Sequence, residues 1–309
     1  MIYTVTLNPA LDKTIIVNNF EINNVNRVQK IREDAGGKGI NVSKMISNLG
    51  GKNIAIGALA GSIGNVIRQQ LAELDIQCDF LEIDGNTRTN IKVVDLLGDT
   101  YTDINEQGTN ISTEELKLIE EKLFKQINEG DILVLAGSVP ESVDSDIYAK
   151  WIRKAKQKGI RTILDGDGEL LEKAIEEGPY LIKPNIHEFE RLFKTEFYSE
   201  EEVIKQAEKL FQYGVEIIVI SRGEKGAILL TIDKNIVVDA IKGDVKSTAG
   251  AGDSMVGALA YATDKNYSLE DAIALAVASS TATVQNEGTM MGSIDEINEY
   301  RKQVTYRYI

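Results

Sequence analysis

The sequence has little cysteine and little positive charge, and it contains no long apolar run. Its single cysteine, Cys78, excludes an internal disulfide, and we interpret it as a core thiol. The net charge of −14 makes nucleic acid and anionic membranes unfavourable partners, although local cations and helix ends can still bind small anions. The first residues read as a strand rather than a signal peptide, and no run is long enough to cross a membrane. These features favour a cytoplasmic enzyme.

Short apolar segments alternate with amphipathic helical segments along the chain. The candidate strands are 2–7, 53–58, 131–137, 160–165, 180–183 and 215–221. Most of them are uninterrupted apolar runs, which is typical of strands covered on both faces. The pairs Ser112–Glu115 and Ser199–Glu202 indicate the starts of two intervening helices. The pattern therefore predicts an α/β fold, with a mostly parallel central sheet and helices on both faces.

Two segments, about 12–33 and 86–106, break this alternation. They look like strands with polar faces, and "LGDT" within the second segment is a hairpin signal. We predict a small separate sheet, which would be a lid over the carboxyl ends of the parallel strands or a dimer-forming sheet. A symmetric dimer, lid against lid, would cover its apolar residues. Those residues are Ile15, Ile16, Val17, Ile91, Val93 and Val94.

The first of two glycine-rich loops is "DAGGKGINVSKMISNLGG", at 34–51. Gly36, Gly37 and Gly39 surround Lys38, and a helical pattern follows. Glycines let backbone N–H groups approach a ligand, and the helix start and the lysine both favour an anion. A tight turn with a solvated lysine is the other interpretation, and the loop alone does not decide between them.

The second loop is "STAGAGDSMVGAL", at 247–259. Gly250 and Gly252 flank Ala251, and Asp253 falls in the first helical turn. The amides of such a loop form an anion-binding cup, and a carboxylate beside it suits phosphoryl transfer. A capping role for Asp253 would not require so many glycines. Neither loop matches the P-loop or the dinucleotide fingerprint.

Five motifs occur together and in order. They are "TLNPALD" (6–12), "GGKGINV" (36–42), "TRTN" (87–90), "KPNIHE" (183–188) and "TAGAGDS" (248–254). As a set they resemble the phosphofructokinase B group of the ribokinase-like sugar kinases, over essentially the whole chain. The resemblance implies a ribokinase-like three-layer α-β-α fold. It also implies a single kinase domain over 1–309, with a β-sheet lid formed by about 12–33 and 86–106.

The resemblance also implies roles around the reacting groups. Asp253 would be the catalytic base, and the anion hole for the γ-phosphate of ATP would be formed by Ala249, Gly250, Ala251 and Gly252. Substrate binding would fall to Asp12, Gly37, Lys38 and Asn41, with Arg27 and Arg88 on the substrate phosphate and Ser138 nearby. Carboxylate, amide and ammonium groups suit sugar hydroxyls and phosphate in this way.

The nucleotide side is implied by the second half of the chain. The residues that would bind it are Asn185, Ser221, Gly223, Gly226 and Asn286. Glu188 would help to place Mg²⁺ through water, as a hard cation prefers. Two positions depart from the family pattern, Arg222 and Asp167, and the only histidine, His187, is interpreted as a helix residue without a catalytic role.

Within the family, "GGKG" resembles the kinases of both fructose 1-phosphate and tagatose 6-phosphate, whereas "TDINEQG" (102–108) together with "TRTN" resembles those that use fructose 1-phosphate. The expected reaction is the ATP-dependent phosphorylation of its C6 hydroxyl. A kinase for tagatose 6-phosphate, acting at C1, remains open. From another class, a non-catalytic sugar-phosphate sensor could keep the fold, but the intact Asp253 beside a complete glycine cup argues against it.

Overall fold

Strands and helices follow one another in the order that the apolar segments predict. The computed structural model describes residues 1–309. The strands are β1 (Ile2–Thr6), β2 (Ala10–Val17), β3 (Val28–Gly36), β4 (Asn53–Ala60), β5 (Gln77–Ile83), β6 (Arg88–Asp95), β7 (Thr100–Asn105), β8 (Ile132–Ala136), β9 (Arg161–Asp165), β10 (Leu181–Ile182), β11 (Ile217–Ser221), β12 (Ala227–Leu230), β13 (Asn235–Val238) and β14 (Tyr306–Tyr308). The helices are α1 (Lys38–Asn48), α2 (Gly61–Glu73), α3 (Thr113–Gln126), α4 (Ile147–Gln157), α5 (Gly168–Ile175), α6 (Ile186–Phe193), α7 (Glu200–Ala207), α8 (Ala251–Asp264), α9 (Leu269–Val284) and α10 (Ile294–Arg301).

Ten strands form the large sheet, in the order β14-β13-β12-β11-β10-β9-β8-β1-β4-β5. The strands from β5 to β11 in this order are parallel, and β12, β13 and β14 continue the sheet antiparallel. The predicted mostly parallel sheet is therefore confirmed. Because parallel strands end at the same edge, the loops that follow them meet there.

Helices cover both faces of the large sheet. On one face α3 to α7 pack over the strands, with Trp151 and Phe189 fully buried among them. On the other face lie α1, α8, α9 and α10, where Met45 and Val256 are buried. Residues with 0% exposure thus lie on both faces, which explains the uninterrupted apolar runs. The three-layer architecture is confirmed. No helix of the structure is both long and apolar enough to pass through a bilayer.

Four strands form a second, small sheet in the order β3-β2-β6-β7. They come from 10–36 and 88–105, close to the two segments that the sequence predicts. The predicted "LGDT" turn joins β6 to β7, and Asp99 within it has a φ of 49°. The chain enters this sheet directly after β1 and returns from it into α1, so the small sheet is connected at the carboxyl edge of the large one.

The prediction that the six apolar residues of the small sheet share one face is wrong. The residues Ile15, Val17, Ile91 and Val93 share one face, whereas Ile16 and Val94 point to the other, since successive side chains of a strand alternate. Cross-strand pairing brings Ile31 beside Ile15 and Ile104 beside Ile91 on the apolar face. The opposite face is largely polar and carries Asp12, Thr14, Asn90, Lys92, Asp103 and Asn105.

Candidate active site

The two glycine loops meet at the carboxyl edge of the large sheet. Gly250, with a φ of 77°, caps α8, and Gly37, with a φ of 103°, precedes α1. Both backbones are left-handed, which glycine adopts without strain. One turn into α1, the Asn41 side-chain Nδ2 donates a hydrogen bond to Asp253 Oδ2 at 2.8 Å. The two loops, 212 residues apart in the chain, are therefore joined at the predicted catalytic carboxylate.

Asp253 is buried behind the glycine cup and 7% exposed. Burial raises the pKa of this carboxyl to about 6, and the charge of Asp165 adds to the shift. The positive charges of Lys38 and Lys183 and the hydrogen bond from Asn41 oppose it. A carboxylate with a pKa near 6 is ionised at neutral pH and still a competent proton acceptor. Its only hydrogen bond uses Oδ2, which leaves Oδ1 for a substrate.

Lys38 points toward the carboxylates behind the cup. Its Nζ lies 3.1 Å from Asp165 Oδ1 and 3.6 Å from Glu188 Oε1. Burial lowers the pKa of this ammonium, but the negative charges of Asp165, Asp253 and Glu188 outweigh burial and raise it above the usual lysine value. Lys38 therefore stays charged at every relevant pH.

Two site residues were missed by the sequence reasoning, Asp165 and Lys183. The Lys183 ammonium is 3% exposed and lies 3.7 Å from Asp165 Oδ1, so two lysines share one carboxylate. Burial alone would raise the pKa of Asp165, yet Lys183 and Lys38 hold it below the usual value. A Cβ built on Gly252 would lie 3.3 Å from Lys183 Nζ, which places this ammonium against the cup. The sequence did carry a signal for both residues, because a charged residue ends each of two predicted strand segments, 160–165 and 180–183.

Asn185 and Glu188 form a reciprocal cap at the start of α6. The backbone N–H of Asn185 donates to Glu188 Oε2 at 2.8 Å, and the N–H of Glu188 donates to Asn185 Oδ1 at 2.9 Å. Glu188 Oε1 faces Lys38 instead. No group of three or more His, Cys, Asp or Glu side chains could hold a metal ion directly. The donor set fits a Mg²⁺ ion that keeps most of its waters and reaches Glu188 through one of them.

A cleft of ≈ 530 Å³ opens beside the cup on the side of the second half of the chain. Its lining includes Ser221, Gly223, Gly226 and Gly252, and the small side chains of α9. A Cβ at Gly226 would lie 2.0 Å from the Val238 carbonyl oxygen, so only glycine fits there. Asn286 does not line this cleft, since its side-chain Nδ2 donates to the Ala282 carbonyl at 3.1 Å.

The two departures from the family pattern have structural explanations. Arg222 turns away from the cleft and donates to Glu200 Oε1 at 2.7 Å. Asp167 caps α5 by accepting from the Gly168 N–H, and it also pairs with Arg191 at 2.7 Å. His187 lies on α6 with its side chain 78% exposed, as interpreted from the sequence.

A smaller pocket of ≈ 220 Å³ lies on the other side of the cup. The polar face of the small sheet forms one wall of it, with Asp12, Asn90, Lys92 and Asp103, and Ala249 of the cup lies opposite. The Asp12 side chain accepts from Asn90 Nδ2 at 3.0 Å. Burial raises the pKa of Asp12, while this hydrogen bond and nearby cations lower it.

The predicted substrate residues Arg88, Ser138 and Arg27 are not among the residues that line this pocket. The Arg88 guanidinium donates to the backbone carbonyls of Pro9, Glu106 and Asn8. Ser138 Oγ accepts from Asn8 Nδ2 at 3.3 Å. Arg27 lies exposed between β2 and β3 and makes no hydrogen bond or ion pair within the chain, so the structure does not bring it to the pocket of its own chain.

The three-layer fold, with one glycine cup between a large cleft and a polar pocket, defines a sugar kinase of the ribokinase-like class. The model of the pfkB family carbohydrate kinases matches residues 5–296. The chain belongs to that family, and the resemblance seen in the sequence is confirmed.

Named relatives agree with this family. The chain is similar to the 1-phosphofructokinase of Bacillus subtilis (strain 168), with 39% identity over 93% of each chain. It is 33% identical, over 98% of each chain, to a tagatose-6-phosphate kinase of Staphylococcus epidermidis. Among solved structures, phosphofructokinase-2 from Escherichia coli in complex with substrates and products has a TM-score of 0.94, with 32% identity and 98% of each chain covered. A tetrameric inhibited form of that protein is also similar.

Proposed function

We propose that this protein uses ATP to phosphorylate the C6 hydroxyl of fructose 1-phosphate, giving fructose 1,6-bisphosphate. The observation that carries the proposal is the buried Asp253 carboxylate, which lies behind the Gly250–Gly252 cup with one oxygen available. The choice of this sugar is supported by the Bacillus subtilis relative and by the sequence motifs. The tagatose 6-phosphate alternative is supported by the Staphylococcus epidermidis relative.

In the proposed step the sugar hydroxyl oxygen bonds to the γ-phosphorus, and the bond from that phosphorus to the β–γ bridging oxygen breaks. ADP leaves with the electron pair of the broken bond, and the hydroxyl proton passes to Asp253 Oδ1. The backbone N–H groups of residues 249–252 stabilise the charge on the moving phosphoryl group. The Lys38 and Lys183 ammoniums, both held by Asp165, lie close enough to neutralise further negative charge.

The larger cleft would hold ATP and the smaller pocket the sugar phosphate. Ser221, Gly223 and Gly226 line the cleft, whereas the nucleotide roles of Asn185 and Asn286 depend on contacts that ligand binding would have to create. Bound Mg²⁺ would neutralise phosphate oxygens and reach Glu188 through water. On the sugar side, Asp12 and Asn41 would bind hydroxyls beside Gly37 and Ser138, and Arg88 would exchange a backbone carbonyl for the substrate phosphate.

We propose that the whole chain is one kinase domain with the small sheet as its lid, and that two lids pack together in a homodimer. The apolar face of the lid supports this, since Ile31 and Ile104 are 52% and 53% exposed. Ile22 and Val25, in the connection next to Arg27, are 83% and 79% exposed and would give a second copy further apolar side chains to cover. A cytoplasmic location fits the sugar phosphate and ATP that the reaction consumes.

The substrate is tested by a coupled ADP-release assay with Mg-ATP. Fructose 1-phosphate, tagatose 6-phosphate and fructose 6-phosphate are compared by kcat/KM. We expect the highest value for fructose 1-phosphate. A preference for tagatose 6-phosphate would move the activity to the alternative, and no turnover of any of the three would favour the sensor.

The dimer is tested by sedimentation at micromolar concentration. We expect a mass of two chains for the unmodified protein and of one chain for the double variant Ile31→Asp, Ile104→Asp. The matched control is Ile232→Asp, because Ile232 is 81% exposed but lies outside the lid. A monomeric unmodified protein would contradict the proposal, and a tetramer would require a second interface.

A further inference from the structure

Lys44 is a half-buried lysine of the first glycine-rich loop that the proposed reaction does not use. It lies in α1, one turn after Asn41. Its Nζ donates to the backbone carbonyl of Ala35 and lies 3.5 Å from Asn41 Oδ1. Both hydrogen bonds are therefore made to uncharged oxygens, and one of them is on the side chain that holds Asp253.

The Asn41 amide lies between two groups with opposite hydrogen-bonding character. An ammonium can only donate hydrogen bonds, and an ionised carboxylate can only accept them. Only one orientation of the amide satisfies both neighbours, with Oδ1 toward Lys44 and Nδ2 toward Asp253. Asn41 is 4% exposed, so water cannot replace either partner without rearrangement. The Lys44 ammonium and the Asp253 carboxylate thus favour the same orientation of this amide.

Charged groups surround both ends of the hydrogen-bonded series Lys44–Asn41–Asp253. Lys44 faces the carboxylates of Asp34, Asp12 and Asp253 and the guanidinium of Arg32. Burial lowers the pKa of its ammonium, and these carboxylates oppose that change. Asp253 faces Asp165, Lys38 and Lys183 in addition to Asn41. Removing Lys44 would therefore remove a positive charge from between two carboxylates of the site.

We propose that Lys44 is a positioning residue that holds the catalytic base in place by fixing the orientation of the Asn41 amide. This inference rests on the proposed role of Asp253 as the base. Without Lys44, Oδ1 of Asn41 loses its donor, and the amide is held only by its own hydrogen bond to Asp253 Oδ2. The position of the amide would then be less fixed, the hydrogen bond to Asp253 would weaken, and the pKa of Asp253 would rise.

Kinetics of Lys44→Met test the proposal, because methionine keeps much of the volume and removes the charge and the donor. We expect kcat to fall about tenfold or more, with the KM for ATP unchanged. The acidic limb of the kcat/KM profile should move to higher pH. Lys44→Arg keeps a donor-only cation and should restore part of the rate. Lys52→Met is the matched control, because Lys52 is exposed and follows α1.

A double-mutant cycle separates positioning from packing. If Lys44 acts through Asn41, Lys44→Met should change kcat by less than about threefold when Asn41 is already alanine. An equal loss in both backgrounds would overturn the proposal. If Lys44→Met does not fold, Lys44→Gln also loses the charge and the donor-only character, and it is measured in the same ways.

Carbon NMR of the Asp253 carboxyl in the ligand-free protein gives a readout that needs no substrate. Asp253→Asn identifies the resonance. Because loss of the Lys44 charge alone raises the pKa of this carboxyl, Lys44→Met is titrated both in the unmodified protein and in Asn41→Ala. A larger rise in the unmodified protein supports the proposal, and an equal rise in both would overturn it. If the unmodified protein turns over no sugar phosphate, the proposed function fails, and the titration alone still decides whether Lys44 holds Asp253.

Discussion

The two sheets of this protein differ in how their faces are covered. The large sheet has helices on both faces, so strands such as β8 and β9 are buried almost throughout. The apolar face of the small sheet packs against a helix only at its base, where Leu11 and Ala35 contact α2, and β7 is exposed along its whole length. The large sheet positions the glycine cup and its charges among buried residues, whereas the small sheet contributes one polar wall of the smaller pocket. The two sides of the candidate site are thus built on regions that differ in burial.

The largest expected effect on the rate is at Asp253, in α8, which packs against the large sheet. Asp253→Asn keeps the shape of the side chain but removes the proton acceptor, so kcat should fall by about 10²–10⁴-fold. Steady-state kinetics measure this, with Asp295→Asn as a control in the exposed first turn of α10. Binding of ATP, measured by calorimetry, should persist. A variant with full activity would remove Asp253 from the mechanism.

A second test compares the stability of the two sheets directly. Ile163, in β9, is 0% exposed, so Ile163→Ala should lower the free energy of unfolding by about 2–5 kcal/mol. Ile104→Ala should change it by about 0.5 kcal/mol or less in dilute solution, where no second copy covers the small sheet. Urea denaturation measures both values. Equal losses in the free energy of unfolding would mean that the two side chains are equally well packed.

The pH dependence is expected to follow the buried carboxylate. Because burial raises the pKa of Asp253 to about 6, kcat/KM should be constant above that pH. It should fall about tenfold per pH unit below it, as protonation removes the base. Measurements of kcat/KM from roughly pH 4.5 to 8, on both sides of this pKa, test the expectation. A limb near the ordinary aspartate value would show that Asp253 is more solvated than its position implies.

The smallest effect is expected at His187. Its side chain is 78% exposed, and its hydrogen-bond partner within the chain is Glu190. His187→Ala should leave kcat/KM unchanged and alter the free energy of unfolding by about 0.5 kcal/mol or less. Kinetics and thermal unfolding of the variant test this. A large loss of rate would mean that the nucleotide or the metal recruits this histidine.

Much of the fold could be predicted because its signals are local. The strand segment 131–137 contains β8, and the Ser112–Glu115 cap starts α3 with both hydrogen bonds in place. The small sheet was placed to within a few residues. Its apolar face was predicted incorrectly, because Ile16 and Val94 were included although successive side chains of a strand alternate. That Ile31 and Ile104 lie beside Ile15 and Ile91 depends on strand pairing, which the sequence does not show.

In the candidate site, too, the features with local signals could be predicted and the contacts between distant residues could not. Asp253 and its glycines were recognised because a cup at a helix start is a local arrangement of backbone. The partners of Lys38 were not recognised, since Asp165 is 127 residues away. Asn286 was placed at the nucleotide from its position after α9, but its side chain bonds back to that helix.

The sequence by itself determined the elements of this protein, its two glycine turns and its family, because these depend on periodicity and on backbone conformations within a few residues. Only the tertiary structure decided which charges meet. It joined Lys38 and Lys183 on Asp165, set Asn41 between Lys44 and Asp253, and buried Asp253 enough to raise its pKa. Such contacts arise from packing between distant segments, and burial strengthens them in a way that no local pattern of residues encodes.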